Sequence, residues 1–161
     1  LLQSTMVFKG ALMIPIEITP RPQNLLGCVA IDNIHCSLML PRLFKPLKEA
    51  HDISNKQLKV LMEKFVESHP APPMLYLGSV HKATRTNLGA LFEDTAFYKT
   101  TYFIEVKNQQ EMQTYLDTVT DALGLDRSER YFHVSIANET GKATDSIGDT
   151  CIDDTTKNKE E

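Results

Sequence analysis

Two short stretches limit what this chain can fold into more than any other feature. Ile34-His35-Cys36-Ser37-Leu38 and Phe132-His133-Val134-Ser135-Ile136 each alternate apolar and polar residues without a break. Successive residues of a β-strand point to opposite faces, so a period of two marks a strand with one face buried and one open. In both stretches the histidine and the serine two positions on share the open face, while the three apolar neighbours anchor the strand. In a chain that is 42% apolar, such a five-residue string arises by accident on the order of 0.05 times. A lone His-x-Ser on a half-buried strand is usually no more than a solvated outer face; the matched pair is the signal.

The rest of the chain supplies partners for these strands. Met6 to Ile18 is rich in apolar and β-branched residues and closes at Thr19-Pro20-Arg21-Pro22, which predicts a first strand, and Leu26 to Ile31 predicts a second. Pro41 ends the strand over Ile34 to Leu40, on which Met39 shares the polar face. Residues 42–53 give no clear pattern. Ser54 with Gln57 forms a capping box ahead of Leu58, Leu61, Met62, Phe65 and Val66, predicting an amphipathic helix that His69-Pro70 breaks. Met74 to Val80 and Phe97 to Val106 read as strands. Asn108 with Glu111 opens a second helix, its stripe formed by Met112, Tyr115, Leu116, Val119 and Leu123 and its stop at Gly124. Tyr131 to Ala137 alternates again, with Ala137 on the side of His133 and Ser135.

This order predicts an α+β domain of two related lobes, each holding one capped helix and one His-x-Ser strand, over residues 6–149. Leu1 to Thr5, ahead of Met6, read as a remnant and are assigned no function. The segment 150–161 reads as a flexible polar tail.

Composition narrows the class. A net charge of −4 and a pI near 5.7 argue against a protein that grips long nucleic acid through a broad basic surface. Cys28, Cys36 and Cys151 form no CxxC pair and no even framework, pointing to a reducing cytoplasm and away from structural zinc. No apolar run approaches the roughly 20 residues of a membrane span, so no membrane partner is expected.

Two imidazoles on one cleft suit phosphodiester cleavage. A pKa near 6.5 lets one take a proton from the attacking oxygen while the other, protonated, gives one to the leaving oxygen. Ser37 and Ser135 would then donate to the non-bridging phosphate oxygens, stabilising the charge that grows in the transition state. A serine-hydrolase reading lacks the G-x-S-x-G elbow. A metal site on the two histidines lacks an acidic ligand on either strand, and no cofactor is expected.

The two His-x-Ser motifs resemble those of the 2H (two-histidine) phosphoesterase superfamily, marked by two His-x-(Ser/Thr) strands about half a domain apart; here the histidines are 98 positions apart. The resemblance runs from about Met6 to Asp149. It implies a two-lobed 2H phosphoesterase (LigT-like) fold, with antiparallel sheets, a central cleft and flanking helices, and His35, His133, Ser37 and Ser135 as catalytic residues. The strings His35-Cys36-Ser37-Leu38-Met39-Leu40-Pro41 and Phe132 to Gly141, with Asp145-Ser146-Ile147 after them, look most like the phage anti-CBASS phosphodiesterases. That likeness implies a metal-independent hydrolase of cyclic di- and trinucleotide immune signals, acting in the host cytoplasm if phage-encoded.

Such a ligand needs cations for its phosphates and flat faces for its bases. His81, Lys82 and Arg85 are candidates for the former, against the plainer reading of a solvated loop. Tyr76, Tyr98 and Tyr102 are candidates for the latter, against ordinary packing. Asn138 and Thr140 lie where they would reach ribose or phosphate, or simply make a turn. A second enzymatic reading, a 2′,3′-cyclic phosphodiesterase or RNA-end-processing enzyme, uses the same four residues, and a third reading is a module that sequesters a nucleotide without cleaving it. The small negative charge favours a small ligand over a polynucleotide. The matched acid-base pair argues against mere sequestration.

Overall fold

Cys36 and Val134 face each other across adjacent antiparallel strands, so the two His-x-Ser strands are direct neighbours at the middle of the sheet. The computed structural model describes residues 1–86 and 98–146, without the side chains of 84–86, 98, 99 and 145. Its strands are β1 (Leu2–Gln3), β2 (Val7–Phe8), β3 (Leu12–Glu17), β4 (Val29–Ala30), β5 (His35–Met39), β6 (Leu77–Thr86), β7 (Tyr98–Val106) and β8 (His133–Asn138). Helices α1 (Lys45–His51), α2 (Asn55–Ser68) and α3 (Gln109–Leu123) complete the fold. The protein is thus α+β, with one curled antiparallel sheet in the order β1-β3-β5-β8-β7-β6. β2 adds to the other end of β3, and β4 to the far end of β8.

Local chemistry explains most of the departures from the sequence reading. The single strand expected over Met6 to Ile18 is a hairpin, because the chain reverses at Lys9, whose N–H donates to the carbonyl of Ala11 at 2.9 Å. Only Val29–Ala30 of the second expected strand is extended, since Leu25 and Cys28 close a turn through mutual backbone hydrogen bonds of 3.0 and 2.7 Å. The capping box is present as read: Ser54 Oγ accepts from the N–H of Gln57, and Gln57 Oε1 accepts from that of Ser54. Asn108 stands at the start of α3 without capping it by its side chain. That amide instead accepts from Tyr76 N–H and donates to the Met74 carbonyl, tying the segment before β6 to the helix. Leu2–Gln3, assigned no function above, pairs with the end of β3, and the Gln3 amide bonds the backbone of Pro73 and Leu75.

The C-terminal end of α2 meets α3 through His69, which stacks on Phe65 and makes a T-shaped contact with Tyr115, while the Tyr115 hydroxyl donates to the Pro70 carbonyl at 2.6 Å. One continuous core holds Met62, Met112, Leu116 and Val119 of the helices together with Ile14, Cys36, Leu38 and Val134 of the sheet and Phe132 just ahead of β8. Burying this many large side chains is the main favourable term, at roughly 1.5–3 kcal/mol for each. It also fixes register, because a slip of one residue would turn His35, Ser37, His133 and Ser135 inward together. No helix among the described residues is long and apolar enough to cross a membrane.

Each central strand carries the same irregularity. Ser37 pairs with Met13, but the next partners are Met39 with Leu12, so Leu38 is an extra residue on β5. Ser135 pairs with Phe103, and the next partners are Ala137 with Tyr102, so Ile136 is an extra residue on β8. A bulge restarts the alternation one residue late. Met39 and Ala137, expected on the polar face, therefore turn to the core and are fully buried. The pairing of β5 with β3 repeats, position for position, in the pairing of β8 with β7.

Candidate active site

The antiparallel register fixes a four-residue tile. With Cys36 opposite Val134, one step to either side sets His35 across from Ser135 and Ser37 across from His133. Residues directly opposite lie about 5 Å apart and diagonal ones about 7–8 Å. The two histidines occupy one diagonal of the tile and the two serines the other. All four line one cavity of about 180 Å³, together with Arg130, Ala143, Thr144 and Ser146.

Both imidazoles are held in the same way. His35 Nδ1 is 2.8 Å from the carbonyl oxygen of Asn33, and His133 Nδ1 is 3.1 Å from that of Tyr131; each acceptor is two residues before its histidine. A carbonyl oxygen can only accept, so Nδ1 carries the proton in both neutral rings and the lone pair sits on Nε2. This is the state in which Nε2 takes a proton and, once charged, returns it.

Their surroundings differ. His35 is half-buried at the cavity mouth. His133 is only 9% exposed, because Tyr131 stacks on it at 5.9 Å with planes 9° apart and Phe103 meets it edge-on at 5.7 Å. Both histidines share the cavity face expected for them, but only His35 is open to solvent there. Burial and the nearby Glu105 push the Tyr131 hydroxyl up to about 12, so this ring stays neutral against His133 across the physiological range. Cys36, between His35 and Ser37, points into the core, where burial pushes its thiol up to about 12. It offers no thiolate at neutral pH.

Arg130 is the residue that sequence reasoning missed. Its Nε donates to the carbonyl of Ser37 at 2.9 Å, and its backbone N–H donates to Gln113 Oε1 at 3.1 Å. A guanidinium has five donors in a rigid fork, and here the fork is anchored at the cavity wall by a residue 93 positions away. The nearest signal in sequence was a cation three residues before His133. Thr144 and Ser146 bring further hydroxyls from the loop after β8.

Asn138 explains that loop. Fully buried, its Nδ2 donates to the Lys142 carbonyl at 2.7 Å and to Ser146 Oγ at 2.9 Å, while Oδ1 accepts from the N–H groups of Thr140 and Gly141. The turn reading of Asn138 and Thr140 is therefore the structural one; these residues shape the cavity wall without lining it. Gly141 has φ +79°, and a Cβ there would lie 2.8 Å from Val29 Cγ1, so no other residue fits the turn without strain.

The remaining candidates lie elsewhere. His81 is 6% exposed, with Nε2 3.2 Å from Glu105 Oε2 and its ring stacked on Phe103. It is a packed residue behind the site rather than part of a solvated loop. Gly78 makes that pairing possible, since any Cβ there would overlap the Glu105 carboxylate. Lys82 is on β6 opposite Tyr102, away from the cavity. Tyr102, proposed for base stacking, is fully buried in the main core, on the same face of β7 as Ile104 and Val106. Tyr76 is 62% exposed and does not line the cavity. Arg85 and Tyr98 belong to β6 and β7, but their side chains, like 147–161 with Asp149 and Cys151, lie outside the described residues.

The chain matches no family model, no curated protein and no solved structure. Among the described residues no three His, Cys, Asp or Glu side chains cluster as metal ligands would. What the geometry offers is two imidazoles, two serine hydroxyls and an anchored guanidinium around a space that suits one tetrahedral anion.

Proposed function

We propose that this protein is a phosphodiesterase of the 2H type that opens cyclic di- or trinucleotides without a metal, its two halves forming the paired lobes of that fold. The observation that carries this reading is the identical tethering of both imidazoles by Nδ1 to the carbonyl two residues upstream, with both rings lining one cavity. One Nε2 takes the proton of the attacking hydroxyl or water as the new P–O bond forms. The other, protonated, delivers its proton to the oxygen that departs. Ser37 and Ser135 donate to the two non-bridging oxygens, where negative charge grows. Arg130 supplies a fixed positive charge, a role that a bidentate fork fills better than a mobile ammonium.

A panel of cyclic di- and trinucleotides, run beside a 2′,3′-cyclic mononucleotide with EDTA present and read by chromatography, tests the reading. Ring opening of a cyclic oligonucleotide is expected. Turnover of the mononucleotide alone would assign RNA-end chemistry, binding without turnover would assign a sequestering module, and activity restored only by added zinc or manganese would overturn the metal-free mechanism.

A further inference from the structure

The tile has two flanks that correspond position for position and yet differ in access. On one side, His133 and Ser135 pair with Glu105 and Phe103 of β7; on the other, His35 and Ser37 pair with Pro15 and Met13 of β3. On the β7 flank Phe103 is fully buried against the stacked His81 ring and Tyr131, and the half-buried Glu105 is held by His81. The β3 flank is open. Pro15 and Met13 are half-buried and floor a groove of about 540 Å³, which shares His35 and Ala143 with the phosphate cavity. Neighbouring strands are about 4.8 Å apart, so a group bonded to a phosphate at the tile and extending past His35 lies directly over these two residues.

We infer that this groove seats the nucleoside on the His35 side of the scissile phosphate. This rests on the phosphodiesterase reading above. A proline ring and a methionine side chain give the flat, polarizable floor that the face of a base or ribose packs against. Asn33, whose carbonyl holds His35, and Lys9 stand on the walls. Asn33 presents an amide to a base edge, and Lys9 an ammonium to the next phosphate of a cyclic ligand. Among the described residues Phe103 is covered and gives no such floor, so a substrate with two nucleosides around one phosphate lays one of them across β3.

Amide chemical shifts of labelled His133→Phe protein, in which an aromatic ring still fills the His133 site, test this with two probes. Inorganic phosphate is expected to move the signals of His35, Ser37 and Ser135 only. Cyclic diadenylate is expected to move these and also Met13, Ile16 and Asn33. If cyclic diadenylate moves the tile while Met13, Ile16 and Asn33 stay fixed, or fails to bind where phosphate binds, the groove assignment falls and the site reading stands. If neither probe moves the tile, both fall. In otherwise wild-type protein, Met13→Glu sets a carboxylate on the floor and is expected to weaken cyclic diadenylate binding by about tenfold or more; an unchanged affinity would overturn the assignment.

Discussion

Truncating the two histidines should abolish the same activity at very different cost to stability. His133→Ala removes a ring that is 9% exposed, stacked on Tyr131 and edge-on to Phe103. Aromatic pairs contribute about 0.5–1.5 kcal/mol each beyond area burial, and the Nδ1 hydrogen bond to Tyr131 about 1 kcal/mol. The loss is roughly 2–4 kcal/mol, which for a domain of this size lowers Tm by roughly 5–15 °C. His35→Ala gives up only the solvent-facing bond to Asn33, about 0.5 kcal/mol, and should melt within about 2 °C of wild type. Both should lose on the order of 10²–10⁴-fold in turnover. His133→Phe separates the two effects: it refills the ring's place and should recover most of the Tm while staying inactive. Calorimetric melting of the three variants beside turnover is the assay. Equal Tm losses for the two alanine variants would refute the unequal packing, and near-wild-type turnover in either would refute the acid-base assignment.

Three other outcomes follow from the geometry. Ser37→Ala and Ser135→Ala should each cost roughly 10–10³-fold in kcat, with Tm unchanged since both side chains are only half-buried; a variant at wild-type kcat would remove that hydroxyl from the transition state. Asn138→Ala strips the loop after β8 of four anchoring bonds and should cost roughly 2–4 kcal/mol in urea unfolding, with a raised KM; wild-type stability would show that the loop holds its shape without it. Burial lowers the pKa of His69 from its ordinary 6.5, so the unfolded chain binds that proton first as pH falls. Its contribution to stability is complete above pH 6.5 and is lost below it; His69→Phe should flatten the fall in urea midpoint between pH 7 and pH 5, and an unchanged slope would place the effect elsewhere.

The parts of this fold legible in the sequence are those written in short-range patterns. The His-x-Ser alternation gave the central strands, the Ser54–Gln57 box gave the start of α2, and Gly124 gave the end of α3. What escaped depended on partners far away in the chain. Nothing near residue 130 shows that Arg130 will find the carbonyl of Ser37, and nothing in Tyr102 alone distinguishes a base platform from a core residue until it is seen on the face of Ile104 and Val106, which packs into the main core. His81 looked like part of a cationic loop because its acceptor, Glu105, lies 24 positions away on another strand. The bulges at Leu38 and Ile136 follow no glycine or proline, so the alternation read straight through them to Met39 and Ala137.

The repeated pairing has a consequence for regiochemistry. A half-turn of the tile in its own plane exchanges His35 with His133 and Ser37 with Ser135, so these four residues alone are indifferent to the direction in which a nucleotide strand runs between them. On the proposed reading, the choice of which P–O bond opens belongs to Met13 and Pro15 on one flank and Phe103 and Glu105 on the other. Strand polarity is then read one strand outside the chemistry. A protein with the same four residues and exchanged flanks would cut the opposite bond of the same molecule.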